Sequence, residues 1–273
     1  MTACKALATA LLALTASLAC AQGDTIVSPR TITNARMIGI GATNILDTYL
    51  SQEKFHGMEL RYISHIERDR LDSRWSRRIV HQGNIAWADN RSDNGGEIAG
   101  AYQFSYGVLH KWDFPVGKDN ISLKAGAQLD ATVGFIYNTR GTNNPAQARL
   151  NLNLSPTLSA TYSTHLRRYP IAVRYEVSAP LAGIMFSPNY GQSYYEIFSC
   201  GNYDHNVVPT TFIATPSLRQ MLTVDLPIGR TTLRIGYLGD MQQAHVNNLK
   251  QHIYTHAVLI GIVKRFKTIR LRP

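Results

Sequence analysis

The sequence predicts an all-β protein: an antiparallel transmembrane up-and-down β-barrel of about ten strands, with twelve as the alternative. Three observations predict it. Apolar and polar residues alternate with a period of two over as many as seventeen residues (Ile121 to Tyr137), far beyond the five or six of an ordinary strand. Connections fall into a short class and a long class, as expected for a barrel with two unlike rims. The chain also opens on an export signal, yet no later apolar run approaches the roughly eighteen residues a helical membrane span needs.

The signal comes first in the chain. Lys5 supplies the positive start, Ala6 to Leu18 form the apolar middle, and Ala19-Cys20-Ala21 offers a small-residue cleavage site. Cleavage there starts the mature chain at Gln22. Cys20 keeps a lipidated alternative open, although Ser17 stands where a lipobox usually has leucine. The expected organisation is a signal peptide at 1–21, a short periplasmic segment at 22–33, a barrel at 34–266 and a basic tail at 267–273.

Strands follow in order. Alternation covers Arg36 to Asn44, Met58 to Ile66 and Ile79 to Trp87. It is stronger from Ile98 to Phe114, whose far end is aromatic as a membrane-interface girdle is. In Ile121 to Tyr137 the odd positions are apolar, and Leu150 to Tyr162 sets leucines against Asn, Ser and Thr. Ile171 to Ser178, Leu218 to Leu226, Thr231 to Tyr237 and Tyr254 to Phe266 complete ten. A further hairpin between Pro180 and Pro209 would make twelve. A secreted β-sandwich or soluble barrel also alternates, but strands this long would demand a very tall sandwich core.

Asp113 to Lys118 and Asp225 to Arg230 share one plan of acid, apolar, Pro, β-branched, Gly and base. Proline fixes φ and glycine accepts positive φ, so each reads as a tight reversal on the same rim, with His165 to Pro170 a third. Longer connections are expected at Leu46 to Phe55, Asp89 to Gly96, Asn138 to Ala148, Leu181 to Pro209 and Gly239 to His252.

The formal charge is +10, with the basic residues scattered rather than striped, which argues against nucleic acid. Outer-membrane lipid, lipopolysaccharide and an envelope protein are the expected partners. Removing the signal leaves Cys200, which reads as a loop or interface thiol. No phosphate loop, paired metal-ligand motif or nucleophile elbow is present, so no cofactor, metal or catalytic residue is assigned.

In a barrel, the inward face would carry Glu59, Arg61, Lys124, Asp130, Arg174, Glu176, Arg219 and Arg234. Ten strands leave little more room than side chains fill, so these charges are expected to form an ionic network, with a selective solute path as the alternative. His65, His81, His110, His165 and His256 lie in or near strands, beside Ser64, Ser105 and Ser163. Neighbours along a strand point to opposite faces, so Ser64 and His65 cannot act as a pair. Tyr190, Tyr194, Tyr195, Glu196 and Phe198 make an aromatic loop that either grips a sugar or partner or plugs the mouth.

Asn44 to Ser51 (NILDTYLS), Gly57 to Arg61 (GMELR) and Phe186 to Phe198 (FSPNYGQSYYEIF) resemble a family of exported Bacteroidota proteins of uncharacterised function. Leu222 to Pro227 and Val246-Asn247-Asn248 fit it too, so the resemblance spans most of the mature chain. It implies an envelope barrel and brings no catalytic residues.

The expected protein is therefore an outer-membrane barrel of a Gram-negative bacterium. The sequence reads it as a non-enzymatic scaffold or interaction protein working through its outward loops. A narrow solute channel is the alternative, and a lipid-modifying hydrolase the third reading.

Overall fold

A computed structural model describes residues 30–268, apart from 71, 142, 143, 168 and 230. The expected signal, Cys20, residues 22–29 and the end of the basic tail lie outside the described residues.

The chain forms a closed antiparallel barrel of ten staves. Its strands are β1 (Arg30–Asp47), β2 (Phe55–Arg70), β3 (Trp75–Asn90), β4 (Gly96–Val116), β5 (Asp119–Asn138), β6 (Ala146–Leu166), β7 (Tyr169–Ser178), β8 (Ala182–Phe186), β9 (Val207–Thr211), β10 (Leu218–Ile228), β11 (Thr231–Val246) and β12 (Leu249–Thr268). Each pairs with its sequence neighbour except at the β7 to β10 excursion, and β12 closes on β1 from Arg30↔Thr268 to Asp47↔Gln251. Pairing therefore reaches beyond the boundaries 34–266 that alternation marks. Thr31, Thr33 and Lys267 are polar outside the apolar pattern, yet they still have backbone partners.

The ten staves match the ten alternating stretches in order. The twelve-strand alternative holds a partial truth, because a hairpin of β8 with β9 does form, over residues 182–211. It adds no stave. β8 carries on along β6 above the end of β7, through Leu154↔Ala182 to Asn151↔Met185, and β9 pairs with β8 alone.

Starting at Leu150 on β6, hydrogen-bonded partners lead through Val133, Tyr102, Gly83, Tyr62, Ile38, Ile260, Ile235, Val224 and Val173. The circuit returns to β6 at Tyr162, twelve residues along from its start. A stagger of this size in ten strands goes with the usual barrel tilt of roughly 35–45°.

The alternating residues sort onto two surfaces. Ile38, Ile40, Leu60, Leu129, Val133, Leu152, Leu154, Leu222, Ile260 and Ile262 are exposed and form an outer apolar belt. Trp75, Trp112, Phe114, Tyr162, Tyr169 and Phe266 ring its short-turn end, while Trp87, Phe135 and Tyr137 lie toward the long-loop end. A water-soluble surface does not carry such a belt, whereas lipid-facing barrels do. No helix is long and apolar enough to cross a membrane among the described residues.

The two repeated turns lie on one rim, at Gly117 (φ 62°) and Gly229 (φ 60°), where a side chain would strain the backbone. The connection between β11 and β12 departs from expectation. Instead of a long loop over Gly239 to His252, both strands run on and meet at Asn247-Asn248, with φ of 50° and 61°. Two successive positive-φ residues make a type I′ hairpin, and asparagine tolerates that conformation. At the upper edge of the belt the outward residues are Gln243 and His245, so the apolar period that marks a strand fades while the ladder continues.

Gly57 faces inward on β2, and a Cβ there would lie 1.8 Å from the Trp87 carbonyl oxygen and 2.5 Å from Ala88 Cα. The Gly57→Val variant is expected to overpack the β2–β3 contact at a cost of about 1–3 kcal/mol. It should lower the temperature at which the folded, fast-migrating gel band converts to the unfolded one. Gly83→Ala, whose nearest atom would be 3.9 Å away, should leave that temperature unchanged.

Candidate functional site

The inward faces of three strands read alike. β2 presents Glu59 and Arg61, then Ile63, then Glu67; β10 presents Arg219, Met221 and Thr223, then Asp225; β11 presents Asp240, Leu238, then Arg234. Charge, apolar and charge thus stack along the lumen as layers. Met37, Ile63, Met221, Leu238, Ala257 and Leu259 form the apolar layer between them.

In the upper layer, nearer the long loops, Arg61 bridges Glu59 and Asp240 at 2.6 Å each. Arg219 reaches the same Asp240 oxygen at 2.9 Å and donates to Gln103, which donates in turn to Asp130. Asp130 also accepts from Ser105, Gln128 and Ser155. Thr255 and Asn84 occupy the other oxygen of Glu59. In the lower layer, Glu67 takes Arg174 at 2.6 Å and Lys124 at 2.9 Å, with Arg78 at 3.6 Å. Glu176 pairs with Arg174 and lies 3.4 Å from Arg78 and 3.5 Å from His65. Arg234 holds Asp225 through two hydrogen bonds of 2.6 and 2.9 Å, and Arg265 touches the same carboxylate.

The eight inward residues expected from sequence therefore fall into three groups. Glu59, Arg61, Asp130 and Arg219 share the upper network; Lys124, Arg174 and Glu176 share the lower one; Arg234 belongs to a separate pair with Asp225. Sequence reasoning missed Glu67, Arg78, Asp225 and Asp240. Glu67, Arg78 and Asp240 lie just past the ends of the alternating stretches, on the inward parity of their strands. Asp225 looked like part of the repeated turn, but its carboxylate serves the lumen instead.

Among the described residues, voids of about 90 and 50 Å³ lie in the lumen, one beside the upper network and one between the layers. Ser64 and His65 do face opposite ways, and His65 is buried inward. His81 pairs with Tyr102 and His256 with Tyr237, both on outward positions.

Above the upper layer, Ile45, Phe55, Ala86, Ala88, Ala99, Ile136 and Ile253 form a second apolar layer. The loop between β8 and β9 folds over this end as a lid. It carries a short helix, α1 (Tyr194–Phe198), started by a capping box in which Ser193 and Glu196 satisfy each other's backbone N–H. Those hydrogen bonds hold the Glu196 carboxyl below its ordinary range. Ile197 and Gln192 are buried under the lid. The Tyr194 hydroxyl donates to Gln147 and accepts from the Ala148 N–H, both at 2.7 Å. Burial pushes that phenol up to about 12, so it stays a donor at neutral pH. Tyr49 on the β1–β2 loop donates to the Gln192 carbonyl, and Asn247 on the β11–β12 turn donates to the Ser187 and His205 carbonyls. The lid is thereby tied to three other parts of the rim. Of the aromatic loop residues, Tyr194 is turned into the rim, while Tyr190, Tyr195, Phe198 and Glu196 face outward with Tyr203.

The family model described as "Protein of unknown function (DUF3316)" matches residues 7–273. No curated protein matches the chain. Among solved structures, the chain is similar to the outer membrane protease OmpT from Escherichia coli, at 9% identity and a TM-score of 0.45, covering 89% of this chain and 99% of that one. It is also similar to the translocator domain of the autotransporter NalP from Neisseria meningitidis, at 12% identity and a TM-score of 0.40, covering 96% of each. An outer membrane channel from Pseudomonas putida F1 follows, at 8% identity and a TM-score of 0.36, covering 90% of this chain and 99% of that one. A protease in this company corrects the expectation that the chain is not an enzyme. Barrels of this kind include enzymes and non-enzymes, so the architecture does not exclude catalysis.

Removing the Glu67 carboxylate leaves Arg174 and Arg78 to share Glu176 and Lys124 to rely on Asp69, so a buried cluster loses the anion that all three share. Glu67→Ala is expected to cost on the order of 3–5 kcal/mol. Lys111→Ala, which breaks a partly exposed pair with Asp113, should cost at most about 1 kcal/mol. Thermal unfolding in detergent, compared between the two variants, measures the difference.

Proposed function

From a chain that belongs to this family of unknown function and takes no activity from it, we propose an outer-membrane barrel with a plugged lumen whose loop end is an outward recognition surface. The lid carries this reading. Its inward residues seal the mouth, and Tyr190, Tyr195, Phe198 and Tyr203 are each more than 60% exposed on its other side. Aromatic faces offer large contact area at low entropic cost, which suits a glycan or protein partner. The apolar belt and its aromatic rings support placement in a Gram-negative outer membrane, with the short turns toward the periplasm and lipopolysaccharide around the long-loop end. The Bacteroidota source implied by the resemblance is part of the same proposal.

The two ionic layers argue against the channel reading, since each crosses a lumen already narrow for ten strands. In planar bilayers, neither the whole protein nor a variant lacking residues 188–205 should give a steady conductance. A stable open level in the whole protein would sink the plugged reading. For the surface, a photo-crosslinking residue at Tyr195 or Phe198 should give a discrete product on intact cells. The same residue at Trp112, on the opposite ring of the belt, should not give that product. Identical products from all three positions would count against a recognition surface.

A further inference from the structure

The barrel wall has one irregular seam. β7 ends at Ser178 and β10 begins at Leu218, so above them the free edge of β11 faces β9 without a ladder. Residues Phe212 to Ser217 fill the space as a strap. The His245 N–H donates to the Ala214 carbonyl at 2.8 Å, but the next contacts down depend on side chains. The Gln243 N–H donates to the Ser217 hydroxyl, and the Gln243 amide donates to the Pro216 carbonyl. Pro216 has no N–H to offer, which is why the ladder cannot continue here.

Immediately behind the strap lies the void of about 90 Å³. It is bounded at the seam by Thr210, Thr215, Ser217 and Gln243, and on the lumen side by Arg149 and Asn151. Arg149 is 7% exposed and forms no ion pair among the described residues; its guanidinium donates to the Gln242 amide oxygen. Every other cation of the two ionic layers has a carboxylate within 4 Å. Asp240, Asp47 and Glu59 act on this guanidinium only from beyond ion-pair distance; a buried arginine with no anion in contact is costly, and a polar void beside it is where an anion would fit. Outside the seam, Leu181, Phe212, Ile213 and Leu218 are exposed, Ile213 at 90%, and would give an alkyl chain an apolar resting place.

We infer that this void binds the carboxylate head of a fatty acid at Arg149, admitted sideways from the membrane through the seam between β9 and β11. The volume is below the roughly 150 Å³ of a cavity that takes one benzene, enough for a carboxylate head but not for a long alkyl chain, which stays outside the seam. Asp130 and Asp240 also line the void, so a singly charged head is favoured over a doubly charged phosphate. The inference rests on the membrane placement proposed above and is independent of the outward aromatic surface.

The test is displacement of cis-parinaric acid, a fluorescent fatty acid, by palmitate from the protein in lipid nanodiscs. Palmitate should displace it at least about tenfold better than hexadecanol or hexadecyl phosphate, and Arg149→Gln should weaken parinarate binding by a similar factor. A second variant, Ala214→Cys with His245→Cys in a Cys200→Ser background, staples the strap to β11. Oxidised, it should bind little; reduced, it should bind as the parent does. The staple keeps Arg149 in place, so it decides the matter even where Arg149→Gln fails to fold. Equal displacement by hexadecanol, or wild-type binding by a folded Arg149→Gln, would overturn the site. Undiminished binding by the oxidised staple would overturn sideways admission. A protein that needs no detergent and shows no heat-shifted band would defeat the membrane placement itself, so the two failures are distinguishable.

Discussion

Every backbone N–H and C=O along the belt must find its partner within the wall, because the surface around it is apolar and lipid supplies none. Closure of β12 on β1 meets this constraint over the whole length of both strands, and the rest of the architecture follows from it. An even number of staves, a common tilt and an inward face of fixed parity are its consequences. It also makes the seam beside β9 informative. There the ladder is replaced by a proline, a serine hydroxyl and a glutamine amide, so the edge groups are satisfied without a strand.

Closure then sets the terms for the interior. The lumen of a ten-stave barrel is too narrow for bulk water and too wide for apolar side chains from one strand to fill alone. The chain meets this with alternating layers: two apolar clusters and two ionic networks, in which Glu67, Glu176 and Asp240 are each shared among several cations. Glu67 receives charge from β3, β5 and β7, and Asp240 from β2 and β10. Such sharing adds little net energy compared with an apolar core of the same volume, since desolvation offsets the attraction. What it contributes is geometry, because the bridges Arg61–Asp240, Lys124–Glu67, Arg174–Glu67 and Arg78–Glu176 tie together strands that are not neighbours.

Much of the wall was legible in the sequence, and the reason is the belt itself. Wherever one face touches lipid, alternation is enforced, so Ile121 to Tyr137 announces a strand without ambiguity. Legibility stops where lipid stops. Val246 and Leu249 flank a tight hairpin that the sequence hides, because Gln243 and His245 on the outward face are polar and break the apolar period. The ends of the alternating stretches likewise cut off Glu67, Arg78 and Asp240, although parity alone would have placed them inside. Pairing between Glu67 and Arg174 depends on the circuit of the barrel, which no local pattern encodes. The lid was readable only as an aromatic loop. Which tyrosine turns inward is decided by Gln147 and Ala148, residues on a strand far away in the chain.

The layered lumen also constrains how the molecule comes into being. The partners of Glu67 come from three strands, the last of them more than a hundred residues further along the chain, so early strands carry uncompensated charge until late ones arrive. An isolated hairpin of β2 and β3 would have to take Glu67 and Arg78 into the bilayer with only each other for company. In the membrane placement proposed above, insertion strand by strand is therefore unfavourable, and staves that associate before they cross together avoid that cost. In that placement the buried charges favour a sheet that is already nearly closed over one that still lacks its late strands.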